Sequence, residues 1–246
     1  MVWKRLKRWW RLRTNAARWA EFSAWAQGQG GSMRLFPDGR GFALDFPSHV
    51  GGALRIEWGG STRRYVVGQE LRIRHQCGLD PELQLMVIER TLMEALEREV
   101  FEAYTDTVKT RSDTDTPEEM RWLVMFQKLG GDVARLARQH FGVLGLRREL
   151  CTAWMDPPFE EALHYAVQDL KLTGRPLVLM CMRSAVVLRI QMPVPDLHAI
   201  EHLVRLVQRA GRSAHSIYLT HDPVLGDSLW RSTAATAWTP EGNSPA

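Results

Sequence analysis

The order of hydrophobic patterns along the chain is the feature that most limits its fold. Between residues 33 and 75, short runs of alternating apolar and polar residues are separated by turn sequences, such as Pro-Asp-Gly at 37–39 and Gly-Gly-Ser at 59–61. Alternation with a period of two is typical of β-strands, and turns of this composition join antiparallel neighbours. The sequence therefore predicts an antiparallel meander. Its candidate strands are residues 34–36, 41–46, 53–58, 64–67 and 70–75.

Helical patterns follow the meander. Asp80 and Pro81 form a common helix start, with Asp as N-cap and Pro as the first helical residue, and apolar residues then recur at helical spacing over residues 81–104. We expect one long central helix here, packed on the meander. A capping box at residues 116–119 predicts a second helix, which is followed by a third over residues 133–141.

The last third of the sequence predicts a helix–strand–strand–helix unit. Asp156 and two prolines precede the first of these helices, and Gly211 occupies the position at which a helix commonly ends. The predicted elements are a helix over 159–172, strands over 177–182 and 185–191, a helix over 197–210 and a short strand near 216–219.

Strands followed by helices, rather than strict alternation of the two, indicate the α+β class. We expect an antiparallel β-meander packed by helices, then the helix–strand–strand–helix unit, with a separate basic amphipathic helix at the N-terminus. The meander and the later unit can share one core. The predicted segments are a basic Trp-rich helix (1–27), a Gly-rich linker (28–32), the meander with its helices (33–141), the helix–strand–strand–helix unit (142–221) and a flexible tail (222–246).

The N-terminal helix carries the basic excess of the chain. Residues 1–20 hold seven Lys or Arg and no Asp or Glu, so the formal charge of +4 for the whole chain leaves the remainder mildly acidic. A helix with Trp on one face and basic residues on the other suits an anionic membrane surface, a protein partner or nucleic acid. The residues expected to make this contact are Trp3, Lys4, Lys7, Arg8, Trp9, Trp10 and Arg11.

A concentrated acidic surface is predicted on the outer face of the central helix. Such a surface is a candidate docking face for the basic N-terminal helix, because opposite charges attract across a short separation. Its acidic residues are Glu94, Glu97, Glu99 and Glu102.

The sequence H-x-x-E-H at residues 198–202 matches a pattern found in zinc hydrolases. On a helix, His198 and His202 lie one turn apart on the same face and can share a metal ion, with Glu201 beside them. A catalytic zinc site needs a third protein ligand. Glu241 is the downstream acid of the expected type, and His215, His221 and Asp222 are the substitutes for it. We assign no metal or other cofactor from this pattern alone, and these residues stay candidate ligands.

Other signatures of enzymes and membrane proteins are missing from the sequence. It contains no G-x-S-x-G motif and no Walker lysine after a Gly-rich loop, and its three cysteines are far apart. The longest uninterrupted apolar run, residues 177–182, is far shorter than the ~20 residues that a membrane-spanning helix requires. We therefore expect a soluble cytoplasmic protein.

The expected function is that of a non-catalytic interaction or adaptor protein. The N-terminal helix would dock it to a protein partner or to an anionic membrane surface, which would place it at the inner face of the membrane. Self-association is also compatible with the sequence. Two alternatives remain open: a metal-dependent hydrolase that uses residues 198–202, and a protein that binds nucleic acid through its basic arm.

Overall fold

A computed structural model describes residues 19–105, 117–130 and 135–220, which form a nine-stranded antiparallel sheet with helices on both faces. This arrangement confirms the predicted α+β class. The strands are β1 (Ser32–Leu35), β2 (Phe42–Phe46), β3 (Ala53–Gly60), β4 (Gln69–Gln76), β5 (Leu85–Glu89), β6 (Gln127–Lys128), β7 (Phe141–Gly145), β8 (Leu177–Met182) and β9 (Ala185–Gln191). Their spatial order is β1-β2-β3-β4-β9-β8-β5-β7-β6.

Seven helices in these ranges cover the sheet unequally. Five of them contribute buried side chains to one face, whereas α2 and α3 pack on the other face, over β5, β7 and β8. The helices are α1 (Ala20–Gly28), α2 (Arg90–Thr105), α3 (Glu118–Met125), α4 (Arg135–Arg138), α5 (Arg148–Trp154), α6 (Pro157–Asp169) and α7 (Leu197–Thr220).

The pairing of β4 with β9 joins the meander to the C-terminal hairpin. Ile73 lies opposite Leu188, and Leu71 lies opposite Ile190, all four on the same face of the sheet. These side chains are fully buried under α1 and α4–α7, on the side of the sheet that we call the first face. A single hydrophobic core therefore extends from the meander to the last helix.

Charged residues of β3 and β4 occupy the opposite face of the meander. Glu70 is buried there, and its carboxylate accepts a hydrogen bond of 2.8 Å from Arg189. Arg72, two residues further along β4, contacts Glu57 at 3.2 Å. The alternation of apolar and charged side chains along β3 and β4 thus follows from one buried and one polar face.

The turn between β3 and β4 is fixed by a buried acid on α3. Glu119 accepts hydrogen bonds from Arg63 Nε and from the Tyr65 hydroxyl, each at 2.5 Å. Burial and the adjacent carboxylate raise the pKa of Tyr65.

Two sequence predictions are corrected by this turn. Residues 64–67 form a turn instead of a strand, and Glu119 reaches this turn instead of closing a capping box.

The predicted helix over residues 81–104 is wrong in its first part. Leu85–Glu89 is a central strand, β5, and the helix begins only at Arg90. A continuous apolar run is compatible with a strand buried on both faces as well as with a helix, so periodicity could not separate them. Glu89 is itself buried, and its carboxylate accepts from the backbone N–H groups of Thr91 and Leu92, at 3.0 and 2.7 Å.

Two further elements differ from the prediction. Residues 133–141 were expected to be helical, but the described part contains the short helix α4 and then the start of strand β7. Helix α7 continues through Gly211 to Thr220, so the expected helix end and the expected strand at 216–219 are both wrong. A Cβ at Gly211 would lie 3.3 Å from Cys77 Sγ, which indicates that this glycine allows close packing of α7 rather than ending it.

The C-terminal unit otherwise confirms the prediction. Asp156 caps α6 by accepting a hydrogen bond of 2.8 Å from the Phe159 N–H. Strands β8 and β9 pair as a hairpin through Arg183 and Ser184, which have φ angles of 50° and 60°. Positive φ at both central residues is the geometry of the tight turns that match the twist of paired strands.

His75 is a titratable group buried in the first face of the sheet. Its ring lies 6.1 Å from that of His49, measured between centroids. Burial lowers the pKa of His75 below its usual value of 6.5, and the nearby His49, Arg212 and His215 lower it further. The folded protein therefore favours the neutral ring.

We expect the protein to lose stability as the pH falls from about 7 to about 5, because the unfolded chain then binds protons that the buried ring cannot. His75→Leu should weaken this pH dependence, and urea unfolding at several pH values would measure it. His164→Leu, at a more accessible position on α6, is the control. An unchanged pH dependence in His75→Leu would contradict the assignment.

Candidate functional site

The first described residues show that the end of the predicted N-terminal helix belongs to the core. Trp19, Phe22 and Ala26 are buried. The Trp19 ring lies 5.4 Å from the rings of both Phe42 and Trp58, measured between centroids. Helix α1 thus contributes an aromatic cluster to the body of the protein.

The glycines after α1 form a hydrogen-bonded turn. The helix ends at Gly28, one residue beyond the predicted range of 1–27, and strand β1 begins at Ser32. The Gly31 N–H donates to the Ala26 carbonyl at 2.8 Å, and Gly30 has a φ of +73°, which glycine adopts at little cost. A side chain at Gly31 would collide with the ring of Phe46. Helix α1 is therefore connected directly to the sheet.

The basic residues predicted to make contacts lie outside the described residues. This applies to Trp3, Lys4, Lys7, Arg8, Trp9, Trp10 and Arg11.

The predicted acidic docking face lies on α2, across the sheet from α1. Glu94, Glu99 and Glu102 are exposed, whereas Glu97 forms an ion pair with Lys128. The structure therefore does not place this face beside α1.

The H-x-x-E-H pattern lies at the start of α7, and its residues divide between two sites. His198 and His202 are on the same face, with ring centroids 4.3 Å apart. Glu201 points to another neighbour, because its carboxylate accepts a hydrogen bond of 2.7 Å from Trp25 Nε1 on α1. The structure therefore brings together His198 and His202 but not Glu201, which corrects the predicted grouping of all three.

The carboxylate that joins the two histidines comes from Asp169, the last residue of α6. Its Oδ2 atom lies 3.2 Å from His202 Nδ1. The candidate ligand atoms of Asp169, His198 and His202 all lie within 4.8 Å of one another. No local sequence pattern indicates Asp169, because its proximity results from the packing of α6 against α7.

The His202 ring is held between neighbours on both helices. Tyr165 stacks on it with a centroid distance of 5.7 Å and an angle of 15° between the ring planes. Burial is the largest cause that lowers the pKa of His202, followed by Arg205 and His198, whereas Asp169 acts in the opposite direction. The arrangement favours a neutral imidazole beside a carboxylate.

A groove of about 270 Å³ runs from His202 along the two helices. Its lining includes the apolar residues Ala162, Ala166 and Leu206, together with three arginines, Arg205, Arg209 and Arg212. One of them, Arg209, is held by Asp156 at 3.4 Å. The groove therefore combines a small apolar surface with cationic groups.

Comparison with known proteins identified no matching family model and no matching curated protein. Across the described ranges, none of the helices has the length and apolar character needed to cross a membrane.

Truncation of Phe22 tests whether α1 is part of the core. Phe22→Ala should lower the free energy of unfolding by about 3–5 kcal/mol, the usual cost of removing a buried aromatic ring. Urea unfolding would measure the change, with Gln27→Ala on the exposed side of the same helix as the control. Equal stabilities of the two variants would contradict the assignment.

A double-mutant cycle tests the contact between α1 and α7. Glu201→Ala and Trp25→Phe each remove one partner of the hydrogen bond, and a partly exposed bond of this kind contributes about 1 kcal/mol. The double variant should therefore lose about 1 kcal/mol less stability than the sum of the two single variants. Strict additivity, measured by urea unfolding, would show that the two groups do not interact.

Proposed function

We propose that this chain is a non-catalytic interaction protein of the cytoplasm, which attaches through residues 1–18 to an acidic protein partner or to an anionic membrane surface. The observation that supports this proposal is the burial of Trp19 and Phe22 in the core. The basic segment thereby connects directly to a helix that is part of the body.

Charge is the first argument. Residues 1–18 hold seven Lys or Arg and no acid, and because the total formal charge is +4, residues 19–246 have a formal charge of −3. The attraction to an anionic surface is therefore concentrated in the N-terminal segment. Near an anionic lipid surface, each basic residue contributes about 1 kcal/mol.

Aromatic composition is the second argument. Trp3, Trp9 and Trp10 lie in the same segment as the basic residues. Indole rings combine a large apolar surface with one N–H donor, which suits the headgroup region of a membrane and the centre of a protein interface. The segment thus has both the charge and the apolar area that attachment needs.

The connection to the body is the third argument. Helix α1 is held by its buried aromatic residues and by the hydrogen bond from Trp25 to Glu201 on α7. Attachment immediately before α1 would therefore orient the sheet relative to the surface that is bound.

Nucleic-acid binding through the same segment is the second candidate. Basic and aromatic residues also serve that function. The acidic remainder of the chain disfavours close approach of a long polyanion, so we rank this function lower.

A hydrolase is the third candidate, and His198 and His202 are the observation in its favour. The glutamate of the motif, Glu201, is engaged by Trp25 instead of facing the histidines. The histidine pair consequently supports metal binding more strongly than it supports hydrolysis.

Flotation with lipid vesicles tests the attachment. The full chain should float with vesicles that contain phosphatidylserine but not with pure phosphatidylcholine, and raising the salt from about 0.1 M to about 0.5 M should weaken binding. A variant that lacks residues 1–18 should not float. The deletion ends before Trp19, because a longer one would remove core residues.

Two measurements complete the test. Retention on immobilised polyglutamate, without flotation, would indicate a protein partner, whereas tighter binding to single-stranded DNA would favour the nucleic-acid alternative. The triple variant Trp3→Ala, Trp9→Ala, Trp10→Ala keeps every charge and reports the aromatic contribution. If deletion of residues 1–18 changes neither flotation nor retention, the proposal is wrong.

A further inference from the structure

We propose that Asp169, His198 and His202 bind a divalent transition-metal ion of the Zn²⁺ class. The site lies between α6 and α7 and does not depend on the attachment proposed for residues 1–18. It differs from the ligand set that the H-x-x-E-H pattern predicts, because its carboxylate comes from another helix.

The spacing of the ligand atoms is the first argument. Bonds of about 2.1 Å in a tetrahedral site place neighbouring ligand atoms about 3.4 Å apart. His202 Nδ1 and Asp169 Oδ2 are already 3.2 Å apart, and the largest separation in the cluster is within 4.8 Å. His198 is exposed, so rotation of its side chain can close the remaining gap.

Rigid support of the ligands is the second argument. The Tyr165 ring stacks on His202 and restricts its rotation. The other end of α6 is tied to α7 by Asp156, which accepts a hydrogen bond of 2.9 Å from Ser213 and contacts Arg209. Because both ends of the helix pair are fixed, metal binding requires little rearrangement of the backbone.

The chemistry of the donors determines the class of ion. Two imidazole nitrogens and one carboxylate oxygen suit Zn²⁺ and the neighbouring late transition metals, whereas Ca²⁺ and Mg²⁺ prefer sets made only of oxygen. Three protein ligands leave a position for water or an anion. Arg205 lines the adjacent groove, so an anion in that position would be electrostatically favoured.

Metal titration of the full chain without an affinity tag tests the proposal. We expect one Co²⁺ per chain, with the visible absorption of nitrogen and oxygen coordination, and displacement of Co²⁺ by Zn²⁺. Asp169→Asn, His198→Ala and His202→Ala should each weaken Zn²⁺ binding at least about tenfold in calorimetry, which is about 1.4 kcal/mol.

Matched controls distinguish this site from general affinity of surface histidines. Glu201→Gln changes the residue next to His202, and His164→Gln removes a histidine from α6; both should bind Zn²⁺ nearly as the unmodified chain does. Asp169 and His198 are exposed, so their variants should fold, and the melting temperature without metal checks this. At the same concentration, Zn²⁺ should raise the melting temperature of the unmodified chain more than that of Asp169→Asn.

Two results would overturn the proposal. One is Zn²⁺ binding by Asp169→Asn that equals binding by the unmodified chain, since the carboxylate would then not be a ligand. The other is an equal loss in His164→Gln, which would place the ion elsewhere.

Discussion

The pairing of β4 with β9 is the contact on which the rest of the structure depends. It joins strands that are far apart in sequence and places Ile73 opposite Leu188 in the core. The same register places Arg72 opposite Arg189 on the polar face, where Glu70 is buried between them and contacts both. A shift by one residue would expose the apolar set and bury the arginines, so the hydrophobic core and the ion pairs select the same register.

This pairing also explains the length of α7. The helix covers the strands on both sides of the junction, and its buried residues include Leu203, Val207 and Ala214. It packs along the junction without interruption at Gly211, because the missing side chain leaves room for Cys77. Trp154 fixes the helix from the side by donating a hydrogen bond of 3.0 Å to the carbonyl of Ala210.

The sequence predicted the elements whose signals are local. The α+β class, the β8–β9 hairpin and the Asp156 cap follow from turn chemistry and alternation over a few residues. Strand β5 was missed because burial on both faces removes the alternation that identifies a strand. Burial of Trp19 could not be foreseen either, because its aromatic partners come from β2 and β3.

The candidate site shows the same difference between local signals, which the sequence carries, and contacts between distant elements, which it does not. The spacing of His198 and His202 on one helix was sufficient to place them together. The roles of Glu201 and Asp169 depend on packing between helices, and no pattern within five residues carries that information. The short motif therefore predicted that His198 and His202 lie together, but not that Asp169 lies beside them.

Glu201 and His202 are consecutive residues of α7, so their contacts with two other helices depend on the same helical turn. Glu201 contacts α1, at the base of the N-terminal segment, while His202 contacts Asp169 on α6. One turn of one helix thus carries both connections, so a displacement of that turn changes both contacts together. Any coupling between the two positions must be reciprocal. If binding at one position changes the free energy of binding at the other, the second changes the first by the same amount.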